Sequence, residues 1–293
     1  MKMKSIALIF LFFILNIALF GQKKEPSIQY LSLEMRDGNT LQGKLVEKRG
    51  DTLVLETATL GTLTVSVKNI KSITTLDTER FVKGEFWFEN PHGTRGFFAP
   101  TGYGLRKGEG YYSNIFLLIN SAAYGFTDHF TVGVGADVFT IFTGNAPVML
   151  YVTPKLSFQA GKNFSYGVGV LAGSFGWNND RIAMGIAYGI GTIGNRDKNV
   201  SLGLGYGYWD GNWANRPVVT VSGQYRVARK VGLMTENYIL PGGFFGVTGF
   251  RLMNVNFSFD LGLLYYSEIG SDSPIAPFPF LGVAFPFGHK KVK

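Results

Sequence analysis

"AYGIGTIGN", residues 187–195, carries Gly189-x-Gly191-x-x-Gly194, the spacing of a dinucleotide-binding loop. Such a loop needs a strand before its glycines and a helix opening on them. From Arg181 the chain instead reads I-A-M-G-I-A-Y-G-I-G. Ile182, Met184, Ile186, Tyr188 and Ile190 fall on one parity, and Ala183, Gly185, Ala187, Gly189 and Gly191 on the other. That strict period of two is the signature of a strand. "NRDKN" (195–199) follows as a turn, and Val200, Leu202, Leu204 and Tyr206 then alternate with Ser201, Gly203, Gly205 and Gly207. No helix is available to present its N-terminus to a phosphate, so the stretch reads as wall and no cofactor is expected.

One face of these strands is bulky and apolar, the other small. A water-facing strand gains little from glycine and loses stability to it. Small residues suit the crowded interior of a closed barrel whose bulky face meets lipid, and only helices and closed barrels satisfy every backbone group in hydrocarbon. The pattern recurs. Phe130, Val132 and Val134 oppose Thr131, Gly133 and Gly135; Phe164, Tyr166, Val168 and Val170 oppose Ser165, Gly167 and Gly169. Val219, Val221, Tyr225 and Val227 oppose Thr220, Ser222, Gln224 and Arg226, and Phe257, Phe259, Leu261 and Leu263 oppose Ser258, Asp260 and Gly262.

Tight links at 126–129, 160–163, 195–199, 228–230 and 254–256 alternate with "TGNAP", "WNNDR", "DGNWANRP", "PGG" and "EIGSDSP". Outer-membrane barrels keep short turns in the periplasm and longer loops outside. Trp177, Trp209 and Trp213 lie beside links of the second set, where an aromatic girdle is expected. Counting from Tyr111 gives about eleven strands, and adding "KGEFWFEN" (83–90) as the first brings the expected count to about twelve, within a range of roughly eight to fourteen. The aromatic-ended segment Leu281–Phe287 looks like a terminal assembly signal, although "GHKKVK" follows it.

The N-terminus sets the compartment. Lys2 and Lys4 precede the apolar run at 5–20, with Gly21 before "QKKE", the layout of a secretory signal peptide. The run is short of the ~20 residues of a spanning helix. With no cysteine, lipoprotein anchors, disulfides and thiolate metal sites are excluded. The formal charge of +8 is scattered, and an exported chain meets no nucleic acid, so that partner is not expected.

Residues 28–73 differ, with short strands at close spacing and Asp37-Gly38 and Leu60-Gly61 as turn dipeptides. Leu31, Leu33, Leu41, Leu45, Leu53, Leu55, Leu63, Val65, Val67, Ile70 and Ile73 form the expected small core. "LEMRDGNTLQGKL" resembles the strand–Asp-Gly–strand opening of an Sm/SH3-like barrel. The Sm proteins' RNA binding is not carried over behind a signal peptide; a periplasmic spacer or docking module for a periplasmic protein is expected instead. The block "FENPHGTRGFFAPTGYGLRKGEGYYSN" (88–114), followed by "YGFTDHFTVGVG" (124–135), resembles uncharacterised outer-membrane β-barrel proteins of Bacteroidota-type bacteria. The resemblance implies location and fold, and no activity.

Single charges fall on the small-residue face at Asp137, Lys155, Arg226, Glu236, Arg251 and Asp260, and a charge in a membrane strand is tolerated only toward the lumen. They group on adjacent strands as Asp137 with Lys155, Arg226 with Glu236, and Arg251 with Asp260. Two readings stand: ion pairs filling a narrow interior, or the lining of a polar channel. His92 and Arg95, in "NPHGTR", are expected in the longest external connection, where they pin a folded loop or, in a rival reading, His92 serves a rim hydrolase with a nearby hydroxyl. The Ser/His/Asn motif of twelve-stranded outer-membrane phospholipases is absent, and no two histidines have metal-ligand spacing.

The expectation is an all-β protein: signal peptide (1–21), small Sm/SH3-like β domain (27–78), antiparallel transmembrane β-barrel (83–288) and basic tail (289–293). It is placed in the outer membrane, embedded in lipid, with the small domain in the periplasm. Its role is structural or that of a passive small-solute channel with no bond chemistry. The alternatives are the rim hydrolase and a tethering module.

Overall fold

The computed structural model describes residues 29–82, 85–137, 148–177, 180–268 and 277–288. The signal-peptide and basic-tail readings lie outside those residues. The chain divides into two units, Met1–Phe86 and Trp87–Lys293.

In the first unit, period-two alternation builds five strands: β1 (Tyr30–Met35), β2 (Thr40–Arg49), β3 (Thr52–Thr57), β4 (Gly61–Ser66) and β5 (Ile70–Leu76). They form one sheet in the order β4-β3-β2-β1-β5, all antiparallel, with a single 3-10 turn at Val67–Asn69 between β4 and β5. Gly38 supplies the left-handed residue (φ 89°) of the Asp37-Gly38 turn, and the Asp37 carboxylate accepts the Asn39 backbone N–H at 2.9 Å. That bond holds the Asp37 carboxyl below its ordinary range. Leu31, Leu33, Leu53, Leu55, Val65 and Ile70 make the core, with Leu41, Leu45 and Leu63 packed against it. Val67 and Ile73 correct the expected core, because both are exposed. Ile73 is an odd number of positions from Ile70 on the same strand, so the two cannot share a face. Two short strands, β6 (Phe81–Val82) and β7 (Glu85–Phe86), then pair with each other.

The second unit is a closed barrel. Its strands are β8 (Gly110–Ile115), β9 (Ile119–Gly125), β10 (Phe130–Asp137), β11 (Val148–Gln159), β12 (Phe164–Trp177), β13 (Asp180–Gly194) and β14 (Lys198–Trp209). After the two-residue β15 (Asn212–Trp213) come β16 (Val218–Ala228), β17 (Val231–Leu240), β18 (Gly243–Met253), β19 (Ser258–Glu268) and β20 (Phe278–Phe287). Apart from β15, which pairs only with the end of β14, each pairs antiparallel with the next in this series, and β20 pairs with β8, closing a barrel of twelve strands. Closure satisfies the backbone internally, which hydrocarbon demands. Outside stand Val134, Val168, Leu202, Leu204, Val221, Leu233 and Phe259, all exposed; on a closed barrel such an apolar face is a lipid-facing belt. Among the described residues no helix is long and apolar enough to cross a membrane.

Twelve is the expected number, yet not the expected twelve. Among the described residues of 83–90 none joins the barrel; only Glu85–Phe86 is extended, and it pairs with Phe81–Val82. The missing strand comes from 110–125, which is a hairpin rather than one run. Phe116 (φ 56°) and Leu117 (φ 62°) form its turn, closed by Leu118 N–H donating to Ile115 O at 3.0 Å. Left-handed conformations at both central residues normally call for Asn or Gly, so the sequence carries no turn signal there. Phe116 compensates by packing on Phe278 and Phe280.

A second correction concerns the deciding stretch itself. On β13 the large residues point inward. Ile190 and Thr192 are buried, Ile186 and Tyr188 line the lumenal cavity, and a Cβ at Gly189 would meet nothing within 4 Å. The register explains it. Tyr188 sits between Gly169 of β12 and Gly205 of β14, and Ile190 between Gly167 and Gly203. A Cβ at Gly169 would lie 2.5 Å from Tyr188 Oη. Glycines on the flanking strands therefore make room for the bulky side of β13. The parity is pinned by Thr192, whose Oγ1 lies 2.6 Å from Ser201 Oγ and accepts the Gly102 N–H at 2.7 Å.

Candidate functional site

The barrel has one end of short turns (126–129, 160–163, 195–197, 229–230, 254–257), where β20 also finishes. From this end the segment 87–109 runs into the lumen and returns before β8 begins. Phe88 O accepts from Arg226 Nη1 (2.8 Å) and Asn90 Nδ2 donates to Arg196 O (2.8 Å), both beside short turns. The segment reaches its apex at Phe97-Phe98, and Gly108 N–H donates to Gly125 O on its way out. No helix or strand forms within 91–109 beyond the isolated bridge Arg95–Pro100. Asn90, His92, Phe97, Thr101 and Leu105 are nonetheless almost wholly buried.

A buried irregular segment must find partners for its backbone polar groups, and side chains of the wall supply them. Glu236 on β17 accepts three consecutive N–H groups: Phe97 (2.8 Å) on Oε2, Phe98 (3.0 Å) and Ala99 (2.9 Å) on Oε1. Tyr238 Oη donates to the same carboxylate at 2.6 Å. Lys155 on β11 donates to Thr101 O (2.5 Å) and Tyr103 O (2.6 Å). Arg251 on β18 donates to His92 O (3.1 Å) and Gly96 O (3.0 Å) while bridging Asp260 on β19 through Nε (2.6 Å) and Nη2 (2.8 Å). Arg95 adds a second guanidinium to Asp260 at 3.0 Å and donates to Ser258 Oγ at 3.0 Å.

The segment's glycines are close-approach positions. A Cβ on Gly96 would lie 2.0 Å from Glu236 Oε2, and one on Gly102 would lie 2.4 Å from Ser165 O. At the apex Phe97 and Phe98 pack edge-on against Phe280 with centroids at 4.9 and 5.2 Å, in a cluster with Met234 and Val247. At the exit Arg106 bridges Glu89 (2.5 Å) and Glu109 (3.4 Å), and the Glu89 hydrogen bond raises the Arg106 pKa above its ordinary value. Between the segment and the wall lies a cavity of about 450 Å³, lined by Phe97, Tyr111, Tyr151, Met184 and Tyr188 among others.

The sequence-predicted residues distribute as follows. Lys155, Arg226, Glu236, Arg251 and Asp260 are buried on the lumenal side, but only Arg251 and Asp260 meet as a pair, directly opposite in the β18–β19 register. Arg226 stands opposite Gly232 and bridges Asp197 instead (2.8 Å), while Glu236 stands opposite Ser222 and serves the apex. Asp137 faces Ile119, and Lys155 faces Thr131 at the far end of β10, so these two do not pair. His92 and Arg95 are corrected outright: they lie inside the barrel, 1% and 9% exposed, not in an external loop. A hydroxyl does approach His92, since Ser258 Oγ lies 3.4 Å from Nδ1. That oxygen also takes the Arg95 N–H, both residues are buried, and neither His92 nor Ser258 lines the cavity described above. Sequence reasoning missed the lumenal course of 87–109. Its signal was a stretch of over twenty residues without alternation, longer than ordinary connections.

No protein-family model matches the chain, and no curated protein matches it. Among solved structures it is similar to the KdgM porin (10% identity, 60% of this chain and 98% of that one, TM-score 0.46). It is also similar to the Ralstonia pickettii toluene transporter TbuX (11%, 88% and 87%, 0.36) and the CymD monoaromatic hydrocarbon channel (11%, 93% and 90%, 0.33). The functional reading therefore rests on the geometry of the lumen.

Proposed function

We propose that the protein is an outer-membrane channel for passive movement of small solutes, held shut by the re-entrant segment 87–109 and opened when that segment leaves its anchors. The observation that carries this reading is the Glu236 cradle. Beside its aromatic packing on Phe280, this apex is held by one carboxylate on three backbone N–H groups. Charge-assisted bonds of this kind contribute roughly 1.5–3 kcal/mol each; they hold firmly and break singly. Liposome swelling with small neutral sugars tests the reading. Slow swelling with the full chain and fast swelling once the cradle is removed support it; equal rates contradict it.

The short-turn end is assigned to the periplasm, as in outer-membrane barrels generally. Residues 27–78, which follow the signal-peptide pattern in the sequence, are assigned to the periplasm too. The strand order and the 3-10 turn between β4 and β5 support the Sm/SH3-like reading of this module, and its proposed role is docking of a periplasmic protein. Protease added to intact cells should spare it and, after permeabilisation of the outer membrane, should remove it; digestion without permeabilisation reverses the orientation.

A further inference from the structure

We propose that the lumenal cavity is a binding site for a small amphipathic carboxylate, a molecule with a compact apolar body of one or two rings and a single anionic end. The proposal rests on the lumen being reachable by solutes, as the channel reading requires. Three independent features of the cavity select this chemistry.

The body of the ligand is set by the walls. Phe97, Phe98, Ile115, Met149, Met184 and Ile186 all line the space, and about 450 Å³ falls within the roughly 300–1,000 Å³ range of small-molecule sites. A sugar chain or peptide would leave its polar groups unpaired against such a surface, which is costly.

The polar end is set by unspent donors. Thr94, Arg95 and Tyr103 line the same cavity. Thr94 Oγ1, Arg95 Nε and Tyr103 Oη are buried and make no hydrogen bond among the described residues. Buried polar groups are ordinarily paired, and each of these donors is of a kind that serves an acceptor-rich group. A carboxylate offers about four lone-pair positions to such donors.

The charge is set by the cations that line the cavity. Arg95 and Arg251 share the single carboxylate of Asp260, and the Lys155 ammonium is met only by carbonyl oxygens among the described residues. Lys155 and Arg95 line the cavity, and no Asp or Glu does. A buried positive charge without a counter-ion is expensive, and an entering anion relieves it.

The test uses the full chain in detergent micelles, observed by fluorine NMR with two probes of matched size, 4-fluorobenzoate and 4-fluorotoluene. Saturable binding of the benzoate at least tenfold tighter than the toluene is expected. Lys155→Met should weaken the benzoate tenfold or more and leave the toluene within twofold. Because Lys155 also holds two carbonyls of the segment, Gly203→Leu is the second variant. The nearest atoms to a Cβ at Gly203 would be those of Thr220 at 3.4 Å, Ile190 at 3.6 Å and Gly189 O at 3.7 Å, all ordinary contacts, and Gly203 lines the cavity, so a longer side chain can enter it and displace both probes. The assignment is overturned by toluene binding as tightly as benzoate, by no saturable binding of either, or by benzoate binding unchanged in Gly203→Leu. Swelling assays on the same preparation separate the two claims: a conducting protein that ignores benzoate sinks the ligand assignment alone, and a binding protein that never conducts sinks the channel reading alone.

Discussion

Replacing Glu236 with leucine should release the apex of the lumenal segment while leaving the barrel closed. The substitution removes the acceptor of three backbone N–H groups and of the Tyr238 hydroxyl. At roughly 1.5–3 kcal/mol for each charge-assisted bond, with partial rescue of the exposed groups by water, the docked state loses on the order of 5 kcal/mol. Since about 1.4 kcal/mol is tenfold, the undocked population rises by roughly a thousandfold or more. Glutamine is the graded control. It keeps one carbonyl oxygen for Phe98 and Ala99 but sets an amide N–H₂ against the Phe97 N–H, so it should fall between parent and leucine. The chain has no cysteine, which makes Ala99→Cys a unique label site at the buried apex. The rate of its reaction with a bulky hydrophilic maleimide reads the undocked fraction. Heat-modifiable gel mobility reports the barrel separately. A barrel that stays folded while labelling remains within threefold of the parent in both variants would refute the reasoning.

Other positions give sharper steric and electrostatic tests. Gly96→Ala should mimic Glu236→Leu in the same labelling assay, because its Cβ would lie 2.0 Å from a carboxylate oxygen; parental labelling would show that the apex sits elsewhere. Ile190→Ala should cost about 2–5 kcal/mol in urea unfolding, as for other buried large-to-small changes, whereas Gly189→Val, pointing outward into open space, should shift the midpoint little. The reverse ranking would mean that β13 faces the other way. Asp260→Asn strips two buried guanidiniums of their counter-charge and should destabilise by roughly 3–5 kcal/mol. The double variant Asp260→Leu/Arg251→Met should lose clearly less than the summed single effects; simple additivity would deny the coupling.

Much of the fold was legible because a strand in a membrane wall must alternate. Leu202/Gly203/Leu204/Gly205 on β14 and Val221/Ser222/Gly223/Gln224 on β16 carry the pattern openly, and both strands face as read. Alternation alone cannot say which parity is inside. On β13 that was decided by its neighbours' glycines and by Thr192 meeting Ser201 and Gly102, pairings invisible along one strand. The Phe116-Leu117 turn escaped notice because its left-handed residues are not the usual turn formers and are held by ring packing. At the site, the buried charges could be picked out as charges within wall strands, but their partners could not. Only Arg251 and Asp260 pair across adjacent strands. Lys155 and Glu236 act on a segment distant in sequence, and nothing in 87–109 marks its backbone as their target beyond its length and lack of alternation.

Planar-bilayer conductance measures directly whether residues 87–109 close a lipid-embedded barrel. The full chain should be silent or flicker only briefly. A chain in which residues 93–104 are replaced by a short glycine-serine linker, with both segment ends kept, should give large, long-lived openings. Identical conductance from the two proteins, whether both silent or both open, would contradict the claim that this segment is the gate.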